Sequence, residues 1–256
     1  MPRRHDHDAG GPADLLAAKS ALRDEVWAAL RAAGAARFPG AEGRIPNFVG
    51  AETAAAMLRD TDAWQAAHTV KSNPDAPQWP VRQRALEDGK TLYMAVPRLA
   101  EPQPFFLLDP DHLADTPRKA SSIKGAARSA RPVGLEELES VDLVVTGCVA
   151  VGEDGARLGK GGGFSDLELA VAVGAGLVGP GTVVVTTVHD LQVRPPGTIP
   201  TAAHDIHVDL VVTPARVIKC RRPRGHRLPA LRWGELTEEK IAAIPVLSRL
   251  ARKRAR

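Results

Sequence analysis

The chain has 256 residues, 44% hydrophobic and 25% charged, with a formal charge of +4, which suits one α/β domain or two small ones with a buried core. No apolar run approaches the roughly eighteen residues of a membrane span, and Met1 to Leu16 lacks the apolar stretch of a secretory signal. The two cysteines form no disulfide framework; Cys148 and Cys220 lie in or beside apolar runs and read as free thiols of a reducing cytoplasm.

Residues 1–13 read as a disordered polar tail. The run "DLLAAKSALRDEVWAALRAAG" then predicts a helix with Asp14 as cap and Gly34 as stop. Leu15, Leu22, Val26 and Leu30 share one stripe, widened by Leu16 and Trp27. Lys19 and Arg23 fall on that same core-facing side. Long stems laid on apolar surface with heads in water would explain them, and so would an anion site between this helix and the body; helix geometry alone does not choose. "GAETAAAMLRDTDAWQAA" predicts a second helix. A short strand ending in "KSNPDAPQ", a helix over 81–87, and strands at "KTLYMAVPRL" and "PFFLLDP" follow. Residues 109–138 are polar, with a short helix expected at "LEELES".

The second half is more regular. "VDLVVTGCVAV" reads as one buried parallel strand, "SDLELAVAVGAGLV" as a helix starting near Ser165 or Asp166, and "GTVVVTTVH" and "VDLVVTPARVI" as further strands. The alternation implies an α/β sheet flanked by helices. The basic runs "KCRRPRGHR" and "RLARKRAR" are of a kind that can bind nucleic acid. With aromatics at 4% no base-stacking platform is evident, so solvated segments are the favoured reading.

The stretch "GARLGKGGGFSDLE", Gly155 to Glu168, sits between a buried strand and a helix. Bare backbone N–H groups beside a helix N-terminus form an anion cradle, for which nucleotide phosphate is the usual occupant. A tight turn would need fewer glycines. The common signatures are absent: Asp154 stands where G-x-x-x-x-G-K-[ST] requires its first glycine, and Phe164 where G-x-G-x-x-G requires its last.

The run "DLVVTGCVAVGEDGARLGKGGGFSDLE" resembles the signature of 5-formyltetrahydrofolate cyclo-ligase, where a strand leads to G-x-R-x-G-[YKH]-G-[GK]-G-[YF]-Y-D-R. "KSALRDEVWAAL" looks like that family's K-x-x-L-R helix, "GKTLYMAVPRL" like its "GK…lPr" strand, and "HDIHVDLVVTP" like its "HD-x-x-(V/L)-D" segment. The resemblance covers about residues 14–219. It implies a three-layer αβα sandwich with a mostly parallel central sheet, of the NagB/RpiA/CoA transferase-like kind, spanning 14–245 as one domain before a basic tail at 246–256.

The resemblance also implies an ATP- and Mg²⁺-dependent ring closure of a folate-like small molecule to 5,10-methenyltetrahydrofolate. Carried over by position, Lys19, Arg23 and Arg157 would hold phosphates, which resolves the two helix cations as an anion site. Gly159, Gly161, Gly162 and Gly163 would form the cradle, with Lys160 and Phe164 beside it. Lys19, Arg157 and Lys160 would act on the transferring group, and Asp166 and Asp205 match the magnesium-ligand acids. His204 and His207 flank Asp205 but lack a third nitrogen or sulfur ligand, so they read as loop residues.

Two departures stand out. The family's Tyr-Tyr-Asp-Arg becomes Phe164-Ser165-Asp166-Leu167, and its folate-binding E-x-x-T is replaced by "KSNPDAPQWP", leaving Asn73 and Asp75 as the acceptor-side candidates. The pattern is closer to the divergent branch that includes the methenyltetrahydrofolate synthetase domain-containing proteins. The alternative is therefore a nucleotide-binding relative without cyclo-ligase activity, having another acceptor, including a thiamine-related one, or an RNA-associated or regulatory role.

Overall fold

The structure, a computed structural model, describes residues 11–202, 205–221 and 229–254. Helices α1 (Pro12–Ala32), α2 (Ala51–Arg59) and α3 (Asp62–Ala66) precede strand β1 (Thr69–Ser72), helix α4 (Trp79–Glu87) and strands β2 (Thr91–Ala95) and β3 (Phe105–Leu108). Short helices α5 (Pro117–Ala120) and α6 (Ile123–Ser129) lead to β4 (Arg131–Val133), β5 (Leu143–Val145), β6 (Ala150–Gly152) and β7 (Arg157–Leu158). Helix α7 (Phe164–Gly174), strands β8 (Val183–Thr187), β9 (Val193–Arg194), β10 (Leu210–Val212) and β11 (Val217–Lys219), and helices α8 (Glu238–Ala243) and α9 (Pro245–Arg254) follow.

The central sheet runs β11-β10-β8-β5-β1-β2-β3-β4. Its middle, β10 to β2, is parallel, and the edges β11 and β3-β4 are antiparallel. The inner strands are β-branched and apolar because both faces are covered. Alternation sorts their side chains: Leu92 and Met94 face one layer, Tyr93 and Ala95 the other. The first layer holds Leu58 of α2, Trp64 of α3 and Val81, Ala85 and Leu86 of α4. The second holds Leu169 and Val171 of α7 and Val246 and Leu247 of α9. This is the αβα arrangement expected.

A second, small sheet, β7-β6-β9, stands beside the first. Helix α1 covers it, placing Val26, Trp27 and Leu30 among Val149, Ala150 and Leu158. The small sheet thereby joins α1 to the chain that enters the glycine loop.

Several local expectations are corrected. Residues 50–67, expected as one helix, form two, because Thr61 ends one turn and caps the next, accepting from the Trp64 N–H at 3.3 Å. "VDLVVTGCVAV" divides into β5 and β6, which lie in different sheets. The break falls at Gly147, where a Cβ would stand 2.8 Å from Ile45 and 2.9 Å from Gln78. "VDLVVTPARVI" is likewise a hairpin, β10-β11, turned by Thr213, whose hydroxyl accepts from the Ala215 and Arg216 N–H groups. The stretch 109–138 contains α5, α6 and β4, and "LEELES" forms only a 3-10 turn at Leu135–Glu137.

Asp14 is not the cap of α1. It lies inside the first turn and accepts from the Gly11 N–H at 2.9 Å. Residues 246–254, expected as a tail, belong to α9, and Val246 and Leu247 are fully buried.

Candidate functional site

The β6-β7 hairpin delivers the chain to Gly159–Gly163, and α7 starts at Phe164. Gly161 (φ 106°) and Gly163 (φ 66°) take left-handed conformations that side-chain-bearing residues rarely adopt. The loop is gripped from two sides. Arg23 of α1 donates its Nε to the Gly159 carbonyl at 2.8 Å. Arg157, 3% exposed, donates to the Gly147 carbonyl at 2.6 Å and to Asp166 Oδ1 at 2.7 Å. Lys19, buried on the same face of α1, pairs with Asp205, which also accepts from the Ala202 N–H at 2.6 Å.

These side chains line one cleft of about 380 Å³, together with Gly159, Gly161 and Gly163. That volume lies within the roughly 300–1,000 Å³ of small-molecule sites. The outer wall comes from residues 229–240 and includes Leu231, Leu236 and Lys240. Leu16, expected on the buried stripe of α1, is instead 67% exposed at the rim of the cleft.

The electrostatics favour an anion. Burial pulls the Arg23 guanidinium below its usual value, against the pull of Asp205 and Asp24. Burial opposes ionisation of Asp166, but Arg157, the Ile206 N–H and Lys19 together hold it below the ordinary carboxylate value. Asp166 is therefore a carboxylate at neutral pH. Asp166 and Asp205 line the same cleft, and among the described residues no three or more His, Cys, Asp or Glu side chains gather as a metal cage. Two hard oxygen donors suit Mg²⁺ held jointly with phosphate oxygens and water, which needs only one or two protein carboxylates. His204 lies outside the described residues. His207 is at an isolated bridge with Ala156.

The other side of the loop differs. Lys160, Gly162, Phe164 and Ser165 face a space of only about 30 Å³ beside Ile45, which Arg157, Gly159, Gly163 and Asp166 also border. Lys160 does not line the large cleft; it reaches Asp75 at 3.4 Å. Asn73, 2% exposed, donates to Ser165 Oγ at 3.3 Å and Glu168 Oε2 at 3.2 Å. Asn73 thus joins the start of α7, and Asp75 joins the loop at Lys160; neither lines the large cleft.

Sequence reasoning missed the polar group beneath them. Lys71 of β1 and Glu168 of α7 form a buried ion pair, and Arg82 of α4 donates to the Asn73 carbonyl at 2.6 Å and the Ser121 carbonyl at 2.9 Å. Burial, with Arg157 nearby, depresses the Lys71 ammonium, while Asp75 pulls the other way. Gln78 is fully buried with neither amide atom hydrogen-bonded. The available signals were a lysine inside an apolar strand, "TVKS", and a glutamate inside an apolar helix, "LELAVAV".

Comparison with known proteins gives a consistent picture. Residues 16–214 match the 5-formyltetrahydrofolate cyclo-ligase family. The chain is 42% identical over 240 residues to a Mus musculus methenyltetrahydrofolate synthase domain-containing protein, covering 91% of this chain and 63% of that one. It is 37% identical over 244 residues to the Homo sapiens protein of that name, covering 93% and 63%. The chain therefore spans a little under two thirds of the length of these relatives. The NMR structure of Aquifex aeolicus 5,10-methenyltetrahydrofolate synthetase shares the fold, with a TM-score of 0.51 and 22% identity, covering 82% of this chain and 96% of that one.

Proposed function

The chain belongs to the 5-formyltetrahydrofolate cyclo-ligase family, and from that premise we propose that it is an ATP- and Mg²⁺-dependent enzyme of the cyclo-ligase type. In this reading it acts in the cytoplasm on a folate-like small molecule. The γ-phosphoryl group passes to the formyl oxygen of 5-formyltetrahydrofolate; N10 then closes the ring and phosphate leaves, giving 5,10-methenyltetrahydrofolate. The observation that carries the reading is the convergence of Lys19, Arg23 and Arg157 with Asp166 and Asp205 on one cleft beside the glycine loop.

Phosphoryl transfer asks a protein for positioning and charge stabilisation more than for covalent chemistry. Arg23 holds the loop at the Gly159 carbonyl, and Arg157 ties the start of α7 at Asp166 to the β5–β6 connection at Gly147, so both ends of the loop are anchored by cations. Lys19 and Arg157 supply charge at the cleft. Asp166 and Asp205 would hold Mg²⁺, which neutralises phosphate charge when bound. Lys160, tied to Asp75 across the loop, stands on the acceptor side. The test is the near-ultraviolet absorbance of a methenyl product when purified protein meets 5-formyltetrahydrofolate and MgATP. Absence of product with MgATP binding intact would reject the folate reaction.

A second reading is favoured by the acceptor side. Its space of about 30 Å³ is far below the roughly 300 Å³ at which small-molecule pockets begin. Phe164-Ser165 also replaces the aromatic pair of the resembled signature. A nucleotide-binding family member with a smaller or different acceptor, or with no transfer reaction, fits those features. Retained MgATP binding without turnover of any folate would support it.

A further inference from the structure

The family match ends at residue 214, yet the outer wall of the phosphate cleft is built from residues 229–240. Within that wall Lys240, on α8, stands against the glycine loop. Its Nζ lies 6.0 Å over the centre of the Phe164 ring and 3.7 Å from where a Cβ on Gly163 would stand. The ammonium thus sits against the last loop residue and the first residue of α7. Its segment is held there by Leu236, just before α8, and Ile241, on α8, which pack on the core that contains Ile244, Val246 and Leu247.

The charges around the cleft show why this position matters. Lys19 is paired with Asp205 and Arg157 with Asp166. Arg232, on the wall, is bonded to Glu235 at 3.0 Å. Arg23 is bound to a carbonyl, and Lys240 makes no ion pair among the described residues. The positive charge not already balanced by a carboxylate contact therefore rests on Arg23 at one end of the loop and Lys240 at the other. An anion laid across Gly159–Gly163 would meet both.

We infer that Lys240 is a phosphate-binding residue of the cleft, contributed by a segment outside the family match, and that it contacts the polyphosphate of a nucleotide bound across the glycine loop. The inference rests on the nucleotide reading above but adds a residue and a segment to it. A flexible ammonium reaching in from a separate helix can close on the phosphates after they enter, whereas Arg157 is fixed from the start.

The test is nucleotide binding by the full chain, measured calorimetrically with adenosine, AMP, ADP and ATP in the presence of Mg²⁺. Lys240→Ala and Lys240→Gln are each expected to weaken ATP by roughly tenfold to a hundredfold, the worth of one charge-assisted hydrogen bond. Adenosine affinity should stay unchanged, and Lys240→Arg should restore most of the ATP affinity. A lost packing role would instead move adenosine and ATP together. The inference is overturned if both variants bind ATP as the unaltered chain does while Lys19→Ala loses it. No ATP binding by the unaltered chain would be a different result: the nucleotide reading itself would fall, and this inference with it.

Discussion

The two sides of the glycine loop make an instructive contrast. On one side Lys19, Arg23, Arg157, Asp166 and Asp205 surround an open cleft of about 380 Å³. On the other, a space of only about 30 Å³ borders Lys160, Phe164 and Ser165, and Asn73, bonded to Ser165, is buried with Lys71, Gln78 and Glu168. Both sides are rich in polar groups. Both sides pair most of their charges internally, but the first does so along a cleft that a ligand can enter, where Arg23 and Lys240 make no carboxylate contact among the described residues. Polarity alone does not make a site: access and unbalanced charge do.

The largest expected effect breaks the closed side. Glu168→Ala leaves the Lys71 ammonium buried without its partner, and urea unfolding should show a loss of about 3–5 kcal/mol. Replacing both residues with apolar ones, Lys71→Met with Glu168→Leu, should recover most of it. A neutral single variant would mean that the pair is solvated and the contrast wrong.

On the open side, Lys19→Ala should weaken MgATP by roughly tenfold to a hundredfold, measured by calorimetry. This variant removes the Lys19 contact of Asp205, so a gain in affinity for Mg²⁺ alone would signal that the acid serves the metal first.

Acid titration sharpens the same side. Asp166 has a folded value below its ordinary 3.8, so the unfolded chain binds its proton more readily. Its contribution to stability is present above 3.8 and is lost as the pH falls through the lower folded value. Asp166→Asn should flatten that part of the stability–pH curve and weaken MgATP. An unchanged acid limb would remove the ion pair with Arg157 from the account.

The smallest effect concerns the link across the loop. Asp75 and the half-exposed Lys160 are 3.4 Å apart, a contact worth about 0–1 kcal/mol. Asp75→Ala should barely change stability or MgATP affinity and should act on the second substrate alone. Equal effects on both ligands would dissolve the division between the two sides.

Much of this was legible in the chain. The buried β-branched runs announced the parallel strands, and the glycine run announced the irregular loop, because glycine takes the positive φ of 161 and 163 without the cost a side chain adds. Lys19 and Arg23, on the core side of α1, line the cleft beside that loop. What stayed hidden depended on partners distant in sequence. "VDLVVTGCVAV" carries no mark of its division between two sheets; Gly147 breaks it because Ile45 and Gln78 crowd that point. Lys71 and Glu168 each stand out within a buried element, but nothing in the chain shows that they are partners until β1 and α7 meet.

By itself the sequence determined the layer type, the loop and the kinds of residues beside it, since periodicity, β-branching and backbone freedom are local properties. Tertiary structure alone decided which side of the loop is open and which is sealed. It also decided that residues 229–240, far along the chain, wall the cleft and bring Lys240 to it. Those outcomes turn on burial and on charge balance between segments far apart in sequence, and neither is a property of any one stretch of chain.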